Sequence, residues 1–148
     1  MVNEVSSPKE YCSWEEVELL TKTVAQKIQT SNKKYDIILG ITNGGIIPAR
    51  LMARELDINH IQFIPIRNKK LYKKEMFPLF KVKKYLIVDE ILDTGETFSK
   101  VYNIIRMLDC DFAFLMSRYR YTGKSSVFVG KLLNHNKWIV FPWEIKSN

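Results

Sequence analysis

An apolar run that ends in paired carboxylates constrains this chain more than any other feature. Tyr85-Leu86-Ile87-Val88 is followed by Asp89-Glu90, and then by Asp93-Thr94-Gly95-Glu96-Thr97. Four consecutive apolar residues bounded by polar ones read as a strand buried on both faces, the pattern of a parallel sheet. Beyond Gly95, residues Phe98, Val101, Ile104, Ile105 and Leu108 fall on one helical face. The order is therefore strand, loop, helix, with the acids and hydroxyls of residues 89–97 in the loop at the strand's carboxyl end. Open α/β sheets bind ligands at that end, and the unpaired N–H groups of a helix N-terminus favour phosphate.

The chemistry of the loop divides into two halves. Thr94, Thr97 and the amides around Gly95 and Glu96 can wrap a phosphate monoester, with Gly95 free to take backbone angles that a Cβ would forbid. Asp89 and Glu90 repel phosphate. They suit the vicinal hydroxyls of a ribose, or a hard cation such as Mg²⁺ that takes oxygen ligands. Together these halves describe a site for ribose 5-phosphate. The competing account is a plain strand-loop-helix whose acids cap a helix and solvate a turn; the ordered set after a strand weighs against it. Asp93 stands nearest the phosphate end, where it can serve as an N-cap. A second strand end, Thr42-Asn43-Gly44-Gly45, follows Tyr35–Ile41. Glycines there allow backbone amides to approach a ligand closely, although a tight strand-to-helix turn would need them too.

On these residues the chain resembles the type I phosphoribosyltransferases, which bind 5-phosphoribosyl-1-pyrophosphate (PRPP), and among them the short purine enzymes. Val88 to Thr97 is similar to the signature loop, Ile41 to Pro48 to the pyrophosphate loop, and Leu51 to Leu56 to the helix after it. Phe112 to Arg118 is similar to the strand leading to a base-contacting cation, and Trp138 to Glu144 to the C-terminal purine-binding segment. The likeness spans roughly residues 11–145. It implies a single-domain α/β fold: a mainly parallel sheet flanked by helices, a flexible lid loop between Gln62 and Tyr85, and a small C-terminal hood over the base. It also implies transfer of the phosphoribosyl group from PRPP to a 6-oxopurine, with Mg²⁺ as cofactor.

The resemblance assigns residues as follows. Asp89, Glu90, Asp93, Thr94, Gly95, Glu96 and Thr97 would hold ribose 5-phosphate, with Asp93 the catalytic acid–base. Thr42, Asn43, Gly44 and Gly45 would hold pyrophosphate. Arg118, with Arg120 as the alternative, would meet the base alongside Trp138 and Ile139. Asp89, Glu90 and Glu144 would serve the metal. The chain departs from the family at Asn43, where an Arg or Lys is common; Arg54 and loop lysines are candidates to compensate. Some members hold the bond after that position in cis. The Ser-Tyr pair common in the lid is missing, and Leu71-Tyr72 is a poor substitute. A homo-dimer or homo-tetramer is implied by analogy.

At 148 residues, with 46% apolar and 26% charged, the chain suits one domain with an unstapled core. Residues 1–10 are expected to be disordered and 11–148 to form the domain. No apolar stretch approaches membrane-spanning length and the N-terminus lacks a signal-peptide core, so a cytoplasmic protein is expected. Cys12 and Cys110 read as reduced thiols, and His60 and His135 have no zinc-ligand spacing. The net charge is +7, and residues 67–84 carry eight Lys and Arg against Glu75. That run suits a solvated face, steering of polyanionic PRPP, or nucleic acid; no nucleic-acid module surrounds it, which disfavours the last. Gly123-Lys124-Ser125 ends like a P-loop, but Arg118 stands where the first glycine belongs. Besides the enzyme, two further readings remain: a non-catalytic PRPP- or nucleotide-sensing protein of the same fold, and a phosphoribosyltransferase for another base.

Overall fold

The computed structural model describes residues 8–146. Five parallel strands form the central sheet: β2 (Ile37–Ile41), β3 (Ile61–Ile64), β6 (Lys84–Leu92), β7 (Asp109–Ser117) and β8 (Val127–Leu132), in the order β3-β2-β6-β7-β8. Parallel neighbours need crossovers, and helices supply two of them. Helix α2 (Ile46–Leu56) carries β2 to β3, and α3 (Glu96–Ile105) carries β6 to β7. The strand order reverses between β2 and β6, so the adjoining strand ends frame the crevice where such sheets bind ligands.

Alternation along β6 sends side chains to two separate cores. Tyr85 and Ile87 pack with Phe112, Phe114, Val101 and Ile105 beneath α3, while Leu86 and Val88 pack with Met52, Ala53, Val24 and Ile28 beneath α2 and α1 (Trp14–Thr30). Helix α1 begins where the Ser13 hydroxyl accepts the Glu16 amide at 3.1 Å, as the cap pattern predicts. A third cluster joins Leu115 and Met116 to Ile139 and Phe141, and it seats the C-terminal segment on the sheet.

Several elements differ from expectation. Strand β6 does not stop at Val88 but continues through Asp89 and Glu90 to Leu92, because β7 keeps pairing with it as far as Ser117. The acids thus belong to the strand's end, and only Asp93 to Gly95 form the loop. Helix α3 closes at Ile105. The expected disorder of residues 1–10 is too long at its far end. Strand β1 (Lys9–Tyr11) pairs in parallel with β9 (Trp138–Val140), and residues 1–7 lie outside the described part. In the lid segment, β4 (Ile66–Arg67) and β5 (Lys70–Leu71) make an antiparallel hairpin around Asn68 and Lys69, both at positive φ, followed by a short 3-10 turn at Lys73–Glu75. Leu71, Met76 and Leu79 pack on the core, and Lys100 Nζ donates to Lys69 O. No helix among the described residues is long and apolar enough to cross a membrane.

Candidate active site

A cleft of about 220 Å³ opens at the carboxyl end of β6. Of the residues singled out in the sequence, Asp89, Glu90, Asp93, Thr94, Gly95, Thr97, Arg118, Trp138, Ile139 and Glu144 line it. Three separate parts of the chain meet here: the β6–α3 junction, the end of β7, and the hood built from β9 and its flanks. Arg118 borders this cleft, whereas Arg120 is exposed and lines neighbouring grooves.

The junction from β6 into α3 is a tight strand-to-helix turn. Gly95 sits at φ +82, a left-handed conformation that glycine adopts without strain, and directly precedes the first turn of α3. The Thr94 hydroxyl accepts the Glu96 amide at 3.3 Å, and the Glu96 carboxylate faces Lys100 at 3.6 Å. The Glu96 amide is thus engaged with Thr94 in this structure. Its side chain is engaged along the helix.

The carboxylates are crowded. Asp89 Oδ1 accepts the Glu90 amide at 2.8 Å, but burial, and then the Glu90 charge, hold the Asp89 carboxyl well above its ordinary range. Burial, then repulsion from Glu144, raises Glu90 to about 7; the Trp143 indole offsets part of this without a well-formed hydrogen bond. Glu90 Oε2 is buried and has no hydrogen-bond partner among the described residues, and Glu144 Oε1 accepts the Phe141 amide at 3.2 Å. No group of three metal-ligating side chains occurs among the described residues. Two repelling carboxylates with an unpartnered oxygen nonetheless fit Mg²⁺, which keeps waters and substrate oxygens in place of an all-protein cage.

The Thr42–Gly45 turn forms the adjoining wall without lining the cleft itself. Gly44 presses on the Glu90 carboxylate so closely that an added Cβ would lie 2.2 Å from Oε1. Gly45 N–H donates to Ile41 O at 2.7 Å, so that amide is already used. The Asn43 and Gly44 amides make no backbone hydrogen bond among the described residues. Thr42 Oγ1 accepts the Ile66 amide at 3.1 Å, tying the turn to the lid hairpin. A cis peptide bond is present between Thr42 and Asn43, one position earlier than the bond considered from the sequence. Arg54 cannot replace a charge at Asn43: it lies in the last turn of α2 and binds Glu18 at 2.8 Å and Glu55 at 3.2 Å.

On the base side, Trp138 is exposed while Ile139 and Phe141 are buried. Phe141 and Phe114 also line the cleft and were not singled out in the sequence. Alternation from Ile139 would have found Phe141, since strand residues two apart share a face. Arg118 is gripped on every nitrogen: Nε donates to Asp93 Oδ1 at 2.7 Å, Nη1 to His135 O at 2.5 Å and Nη2 to Lys137 O at 2.7 Å. No sequence pattern announces those two carbonyls.

Known proteins share this architecture. A xanthine-guanine phosphoribosyltransferase of Desulfotalea psychrophila is 29% identical over 141 residues, covering 91% of this chain and 86% of that protein. The structure of a purine phosphoribosyltransferase from Pyrococcus horikoshii superposes with a TM-score of 0.68 at 29% identity, over 95% of this chain and 96% of that one. A hypothetical protein from Neisseria gonorrhoeae with bound ppGpp superposes at 0.76 with 23% identity, over 94% and 90% of the two chains, a likeness of fold. The profile of the phosphoribosyl transferase domain matches residues 9–148, the same span that builds the sheet, the strand-end cleft and its hood. The chain belongs to the phosphoribosyl transferase domain family.

Proposed function

We propose that the protein transfers the 5-phosphoribosyl group of PRPP to a 6-oxopurine (guanine, xanthine or hypoxanthine), giving the nucleoside 5′-monophosphate and pyrophosphate in purine salvage. One observation carries this reading: a single cleft holds the strand-end acids, the Thr94–Thr97 phosphate cradle and the Trp138 hood. The names of the relatives at 29% identity support the purine as acceptor.

The residues divide the work by chemistry. The α3 amides with Thr94 and Thr97 hold the 5′-phosphate, anchoring the substrate far from the bond that breaks. Asp89 and Glu90 hold the ribose hydroxyls and so aim the anomeric carbon at the base nitrogen. Asn43 and Gly44 offer free amides to the departing pyrophosphate, where negative charge accumulates. Mg²⁺, held by Glu90, Glu144 and Asp89 together with substrate oxygens, would supply positive charge to the pyrophosphate as it leaves. Trp138 stacks on the base, Ile139 offers backbone groups to its edge, and Arg118 borders it. Asp93 takes or returns the base proton, worth roughly 10²–10⁴-fold. The hairpin between Ile66 and Leu71 is the segment suited to cover PRPP against water. We place this chemistry in the cytoplasm, in a homo-oligomer.

The second reading is a PRPP- or nucleotide-sensing protein without turnover. The uncharged Asn43 favours it, as does the nucleotide held by the gonococcal protein of the same fold. Incubation with Mg²⁺, PRPP and each base in turn separates the two. Pyrophosphate release with a 6-oxopurine is the expected result. PRPP binding without release from any purine would overturn the transferase reading in favour of sensing.

A further inference from the structure

We infer that Arg118 is a positioning residue, which locks the chain between Leu133 and Trp138 onto the Asp93 loop and thereby sets the width of the base-binding gap. For its effect on the base, this rests on the transferase reading above; the lock itself is present without substrate. The Arg118 side chain is only 15% exposed, and each of its three guanidinium nitrogens meets a protein acceptor. Arginine carries five N–H donors, and three are spent here, which leaves two for any ligand. Its own amide donates to Leu92 O at 2.9 Å, so the side chain departs from the point where β6 ends.

The segment that it holds is anchored at its ends, where the Leu133 amide donates to Ser117 O at 2.8 Å and the Trp138 amide to Pro8 O at 2.8 Å, and it is irregular between them. Asn134, Asn136 and Lys137 are exposed, and no regular structure spans residues 133–137. His135 reaches Glu10 at 3.2 Å, and its Nδ1 accepts the Lys137 amide at 3.1 Å. Those contacts steady the outer side of the turn. Among the described residues, only Arg118 ties its inner carbonyls to the Asp93 loop across the cleft. Trp138 follows directly and is otherwise held by the hydrogen bond from its amide to Pro8 O at 2.8 Å, so releasing His135 O and Lys137 O loosens the turn that aims the residue proposed to stack on the base. The Asp93 pair is partly exposed and contributes little by itself. The two charge-assisted bonds to carbonyls, held in one plane by the fork, provide the geometry. A lysine could satisfy one of these acceptors but not all three.

Hydrogen exchange on the substrate-free protein tests the lock directly, with steady-state kinetics beside it. In Arg118→Gln, amides of residues 133–138 are expected to exchange at least tenfold faster, with those of β6, β7 and α3 unchanged. Arg118→Lys is expected to show the same acceleration. Both variants should raise KM for the base about tenfold while KM for PRPP stays within twofold. Unchanged exchange across 133–138, acceleration spread through β6 and β7, or an Arg118→Lys variant with the wild-type base KM would each overturn the inference. A wild-type protein that released no pyrophosphate would sink the transferase reading alone, because the exchange experiment needs no substrate.

Discussion

A Cβ on Gly45 would fall 2.6 Å from both Ile41 O and Val88 O, backbone atoms of the central sheet that cannot retreat. On Gly44 its three nearest neighbours would all belong to the Glu90 carboxylate, the far end of a flexible side chain. The two glycines therefore separate stability from function. Gly45→Ala should cost about 3 kcal/mol by overpacking, measured by urea unfolding. Gly44→Ala should unfold within about 1 kcal/mol of wild type, yet lose about 10²-fold in turnover, because Glu90 must move. Glu90 leads to a second prediction. Its carboxyl lies near 7 in the fold against an ordinary value near 4.5, chiefly through burial and then through Glu144. Between those values the native state binds more protons than the unfolded chain, so stability falls as pH rises and levels off above about 7. Removing the charge in Glu90→Gln should flatten that slope and stabilise the ligand-free protein at pH 8 by about 2 kcal/mol, allowing for water in the cleft. Thermal melts of the two proteins from pH 5 to 8 measure it.

The elements were legible where one force dominates. Strand β2, helix α1 and the β6–α3 junction each carry an apolar pattern that survives in the fold. The end of β6 was misread because charge at Asp89 and Glu90 resembles a loop; pairing with β7 outweighs that local preference. Hairpin β4–β5 was hidden by its lysines and by two positive-φ residues, Asn68 and Lys69, neither of which is glycine. At the opposite end of the sheet from the cleft, Asp111 lies in β7's buried run and ties down two loops, the one before β2 and the one before β8. It accepts from Tyr35 OH at 2.6 Å, Lys33 Nζ at 3.1 Å and Ser126 N at 2.7 Å. Burial, then the bond to Asp111, pushes the Tyr35 phenol up, so this contact persists across the working pH range. Asp111→Ala should cost about 2–4 kcal/mol in urea unfolding because it strands those donors, while Michaelis constants of the folded fraction stay unchanged.

At the scale of the whole molecule, the surplus of +7 and its concentration in residues 67–84 act through their field. Arg67 pairs with Glu75 at 2.8 Å and lies over the Tyr72 ring, but the other cations of this run are exposed or half-buried. Raising ionic strength from about 0.05 to 0.5 M should lower kcat/KM for PRPP about tenfold with kcat unchanged, as expected for steering of a polyanion. Initial rates across a salt series provide the check. The amino-acid order alone determined the parallel α/β architecture and pointed to the strand end where the cleft opens, since apolar periodicity and the Asp89–Thr97 spacing are local properties. Only the tertiary structure decided that Glu90 lies against Gly44, that the Gly45 amide is spent on Ile41, and that Arg118 spans from Asp93 to the hood. Those contacts join residues distant in the chain, and they exist only after three separate cores bring the strand ends together.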